Sequence, residues 1–122
     1  MKSIAADAKR IESAATELEK LTEDPAASWH QFDRQWNELQ PVVETMRMRI
    51  ARLESMESSL SAKEKQALDQ AKAYCQKIAW QSRELGNLVD KVPADVKNPK
   101  FKIESVNLKK EAGQIAKTVN GV

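Results

Sequence analysis

The sequence predicts an all-α protein: an up-down helical bundle built on a long antiparallel hairpin of its second and third helices, with a shorter first helix and a weaker fourth. Three observations lead there. Helix-forming Ala, Glu, Lys, Gln and Leu abound, while the 122 residues include only three Gly and four Pro. Apolar residues recur at alternating steps of three and four in four separate stretches, which places them on one face of a helix each time. With 41% hydrophobic residues and a net charge of +2, the chain is too apolar for disorder, and its length suits one domain. A single Cys leaves no internal disulfide framework, so the fold must rest on packing.

The first helix is expected over about residues 3–21, with Ile4, Ala8, Ile11, Ala15 and Leu18 on one face. Asp24 and Pro25 then supply a stop and a new start, because Asp24 can accept from free backbone N–H groups and Pro25 suits a first helical position. The second helix is expected over about residues 26–60, kinked at Pro41. Trp29, Phe32, Trp36, Leu39, Val43, Met46, Ile50 and Leu53 form its seam, and Pro41 falls on the opposite side without disturbing the phase. Ser61 and Glu64 have capping-box spacing and open a third helix over about residues 62–92. Its seam is Leu68, Ala71, Cys75, Ile78, Ser82, Leu85, Val89 and Val92. Residues 93–102 read as a loop, with Phe101 and Ile103 as a short extended strap. Leu108, Ala112, Ile115 and Val119 then give a fourth helix over about residues 104–119.

Helices of unequal length have a consequence. Two short helices that join the hairpin at its open end leave its closed tip uncovered, and Leu53, Met56, Leu60 and Leu68 lie there. Such a patch is expected to bind a partner or a second copy of the chain, as a homodimer. Trp80 is a second candidate. It falls on the side of its helix away from the seam, so either Phe101, Ile103 or the fourth helix folds over it, or it stands free as an interface anchor.

Chemistry is harder to find. His30 is the only histidine and Cys75 the only cysteine, which leaves no metal-ligand spacing and no nucleophile with a histidine partner. No Gly-rich phosphate loop is present, and the second and third seams carry only Glu57 and Ser82 as polar interruptions. No catalytic residue, metal or cofactor is therefore expected. Residues 1–60 carry a net charge of −3 and residues 61–122 one of +5. Lys91, Lys97, Lys100, Lys102, Lys109 and Lys110 make the densest basic stretch, yet no arginine and only Phe101 interleaves with them. A solvated lysine face that balances the acidic half fits better than a nucleic-acid surface. Charge interrupts the amino-terminal stretch before a signal-peptide core forms, and no apolar run approaches the roughly 18 residues of a membrane span, so a cytoplasmic protein is expected.

The short first helix, acidic turn, Trp29 and Phe32 pair, and hairpin closed by Ser61 to Glu64 are loosely similar to flagellar export chaperones over a little more than half the chain. That resemblance implies a helical hairpin that holds an amphipathic helix of its cargo; the carboxy-terminal third departs from it. The expected function is a non-enzymatic interaction module: an adaptor, small chaperone or assembly subunit. The alternatives are a nucleic-acid-associated protein that uses the lysine-rich half, and a small-ligand sensor with a pocket in the bundle.

Overall fold

The computed structural model describes residues 1–91 and 99–120, and for Glu57 and residues 88–91 the backbone alone. Val89 and Val92 as seam side chains, and the loop expected over residues 93–98, lie outside that description. Four α-helices follow one another: α1 (Lys2–Glu23), α2 (Trp29–Glu54), α3 (Ala62–Lys91) and α4 (Pro99–Asn120), with a single 3-10 turn at Glu57–Ser59. α1 packs on α2 and α4, and α3 packs on the same two helices. Cross-helix contacts run in opposite order along two of these pairs. Trp36 meets Ser82 and Glu54 meets Lys72, while Glu19 meets Lys109 and Glu23 meets Lys102, so α2–α3 and α1–α4 are antiparallel.

Every described seam side chain on α1, α3 and α4 is buried, from Ile4 through Cys75 to Val119. On α2, Phe32, Leu39, Val43, Met46 and Ile50 are buried, and Trp29, Trp36 and Leu53 pack half-buried against them. Burial of these faces is the main stabilising term, because it removes continuous apolar stripes from water. Phe32 and Phe101, each in the first turn of its helix, meet edge to face with ring centroids 4.7 Å apart and planes at 85°.

Four sequence expectations need correction. α2 starts at Trp29 rather than Ala26. Asp24 Oδ1 accepts from the Ala26 N–H at 2.9 Å and bends the chain into a turn, while Ser28 caps the helix and its N–H donates to Gln31 Oε1 at 2.9 Å. α2 also ends at Glu54, short of Leu60. There the Ser55 hydroxyl donates to the Arg52 carbonyl at 2.6 Å, and the next backbone bonds tighten to a three-residue spacing. The helix nonetheless continues through Pro41, which sits on its exposed side. Third, residues 99–102 are helical, not an extended strap. Pro99 opens the first turn, where its missing N–H removes no helical bond, and burial of Phe101 against Phe32 anchors that turn.

The fourth correction concerns rank. α4 has 22 residues and packs against α1 more extensively than any other described pair. Ala5, Ala8 and Ala15 on α1 and Ala112 and Ala116 on α4 are all buried, and small side chains of this kind allow helices to pack closely.

Candidate functional site

The opposite side of the bundle is built differently. The Trp36 indole of α2 lies against α3, and Trp36, Val43 and Ile50 border open space between the two helices on their outer side. Two concavities result. One, about 300 Å³, lies among Trp36, Val43, Ser82 and Gly86. The other, about 470 Å³, lies among Ile50, Ala51, Cys75 and Trp80. They join at Arg47, Ala79 and Arg83, which border both, so the α2–α3 face carries one elongated groove.

Gly86 shapes the upper end. A Cβ at that position would stand 2.5 Å from Trp36 Cζ2, so only glycine lets the indole lie against the α3 backbone. The Trp36 Nε1–H then donates to the Ser82 carbonyl at 2.8 Å, using the second lone pair of a helical carbonyl. At the lower end, burial pushes the Cys75 thiol up to about 11, with Arg47 opposing and Glu44 adding to the effect. Cys75 is thus an inert thiol in the groove floor at neutral pH.

Charge along the groove is unbalanced. Arg47 Nη1 pairs with Glu44 at 3.0 Å and Lys72 Nζ with Glu54 at 3.1 Å. Arg83 makes no ion pair or hydrogen bond among the described residues. Trp80 lies one turn before Arg83, and it is 53% exposed on the groove rim. Neither residue named as its cover reaches it: Phe101 is fully buried against Phe32, and Ile103 is 55% exposed on the outside of α4.

The hairpin tip is not the open patch that the length mismatch predicted. α1 and α4 have 22 residues each against 26 and 30 for α2 and α3, so the mismatch is smaller than expected. Leu68 is only 3% exposed, and Leu53, Leu60 and Met1 pack half-buried against the core. Met56, 45% exposed, is the tip candidate that remains on the surface.

The basic stretch is similarly engaged. Lys109 pairs with Glu19 at 2.8 Å and Lys102 with Glu23 at 3.3 Å, so the acidic flank of α1 neutralises lysines of α4. Hydrogen bonding and the charge of Glu19 hold the Lys109 ammonium above its ordinary pKa.

Sequence reasoning missed three polar features of this fold. Asp7 is buried on α1, and both of its carboxylate oxygens accept from Arg49 Nη1, at 2.8 and 2.7 Å. Glu104 is buried between α4 and α3, where desolvation first and the nearby Glu84 second raise its pKa, with Lys100 opposing. Glu104 Oε2 and Gln81 Oε1, with Ser82 Oγ of the expected seam, are buried without a hydrogen-bond partner among the described residues. The signal for Asp7 was its place one turn from Ile4 and Ile11, inside the buried arc of α1. Glu104 sits likewise, four residues before Leu108.

Among the described residues, no group of three or more His, Cys, Asp or Glu side chains could hold a metal ion. Nor is any described helix long and apolar enough to cross a membrane. No protein-family profile, curated protein or solved structure matches the chain.

Proposed function

We propose that this protein is a non-enzymatic interaction module that captures an amphipathic helix of a partner protein in the α2–α3 groove. The observation that carries this reading is Trp80, a large aromatic side chain left half exposed on the rim of an elongated, partly apolar groove. Exposed tryptophans beside apolar concavities are the usual anchors of protein interfaces, and helix-in-groove docking reads one apolar stripe against such a floor. Val43, Ile50 and Ala79 supply that floor. The buried Cys75 thiol is held protonated at neutral pH and no histidine lines the groove beside it, which favours binding over chemistry.

Affinity capture from the source cells, read by mass spectrometry, tests this proposal with two variants. Trp80→Ala should lose the partner while Met56→Glu, at the tip, keeps it. Retention by Trp80→Ala and loss by Met56→Glu would move the interface to the tip and overturn the groove reading.

A further inference from the structure

Resting on that reading, we infer that the helix held in the groove is acidic: it places a carboxylate at its middle, opposite Arg83 and Arg47, with apolar residues on either side. The groove extends along α2 from Trp36 to Glu54, a span of about 27 Å, which accommodates a helix of about five turns. Its two concavities are separated along the groove, so the occupant presents apolar side chains toward both. Where the two spaces adjoin, Arg47 and Arg83 border both.

Charge selects the chemistry of the occupant. The other charged groups lining the groove are already paired, Glu44 with Arg47 and Glu54 with Lys72. Arg83 is left as the uncompensated charge, and Arg47 keeps further N–H donors beyond the one facing Glu44. A carboxylate placed between the two guanidiniums gains charge-assisted hydrogen bonds on a surface partly shielded by Trp80. A lysine there would meet two like charges.

The same charges argue against other occupants. Two copies meeting groove to groove about a twofold axis at the waist would bring their Arg83 side chains together, an unfavourable centre for an isologous interface. A nucleic acid backbone would set phosphates along the whole groove, whereas the charge left over from the Glu44 and Glu54 pairs is confined to the arginines where the two spaces adjoin.

The test uses two labelled helical peptides of about five turns, with the same Leu and Ala face and either Glu or Lys at the central pair of positions. Each is titrated against the full chain by fluorescence anisotropy. The Glu peptide should bind about tenfold or more tightly than the Lys peptide at low salt. Arg83→Glu should reverse that order, and Trp80→Ala should weaken both peptides to a similar degree. Equal binding of the two peptides, both still weakened by Trp80→Ala, would overturn the acidic preference while leaving the groove in place. Binding of neither peptide, or binding that ignores Trp80→Ala, would remove the groove reading and this inference with it. A wild-type dimer in sedimentation that Arg83→Glu dissociates would assign the groove to a second copy and overturn the inference as well.

Discussion

The α1–α4 and α2–α3 interfaces join antiparallel helices in the same bundle, yet one is sealed and the other grooved. Buried alanines mark the first, Ala5, Ala8 and Ala15 on α1 with Ala112 and Ala116 on α4, and ion pairs from Lys102 and Lys109 flank it. In the second, the Trp36 indole lies against Gly86 and open space remains beside Val43 and Ile50. Side-chain volume at the contact sets helix separation, and separation decides whether a surface is left to bind something. On the proposed function, recognition falls to the α2–α3 side and the α1–α4 side is left to hold the fold.

Substitutions that probe this division should separate cleanly. The largest effect is expected in the shared core. Phe101→Ala removes one ring of the buried aromatic pair and should cost about 3–5 kcal/mol in urea unfolding. Trp80→Ala should stay within about 0.5 kcal/mol of wild type, because that ring is half in water. A comparable loss from both would mean that the groove side carries the fold as well.

Next come the small residues. Ala8→Leu or Ala112→Leu forces α1 and α4 apart and should cost about 1–3 kcal/mol. Ala51→Leu, on the exposed groove wall, should be nearly silent in thermal melts while blocking partner capture. Melts that drop equally for Ala8→Leu and Ala51→Leu would break the contrast between a tight side and an open one.

The two helical glycines sharpen it further. Gly86→Ala must displace an indole held by its bond to Ser82, and the loss should exceed the gain in helix propensity. A shift in Trp36 fluorescence should accompany it. Gly113→Ala meets only the end of the flexible Glu12 side chain, 3.1 Å away, so propensity should win and stability should rise by up to about 1 kcal/mol.

Glu104 gives the smallest change, recognisable by its pH signature. Burial holds its carboxyl above the ordinary value of 4.5, so the folded state binds the proton more tightly than the unfolded chain does. The associated stability is present below that ordinary value and is lost as pH rises through the raised one. The Glu104 contribution to melting temperature should therefore fall as pH rises above that ordinary value, and Glu104→Gln should remove it. An unchanged slope in the variant would place the titrating group elsewhere.

The four seams were legible in the sequence because burial on a helix depends on spacing within one segment, which Ile4 to Leu18 or Leu108 to Val119 display directly. Helix ends were less legible. Pro99 read as a breaker but serves as a start, and the lysines alternating with Phe101 and Ile103 imitated a strand. α4 looked weak because Ala and Gly contribute little area of their own; their value lies in the close approach of a partner helix. Trp80 stood out from its position on one helix alone. Arg83, Gly86 and the groove did not, because they depend on the register of α3 against α2, which the spacing within either helix leaves open.

The sealed side has a further consequence for how the chain reaches its fold. The Lys109–Glu19 contact joins residues 90 positions apart, so α1 finds its most extensive partner in the helix most distant along the chain. During synthesis, at about 5–20 residues per second, α1 and α2 emerge and can pair for several seconds before α4 exists. Throughout that interval the stripe of Ile4, Ala8, Ile11 and Ala15 is covered on one flank only. Closing this loop is the step with the greatest entropic cost, and it comes last. The helix with the least conspicuous sequence pattern is therefore the one whose arrival makes folding cooperative.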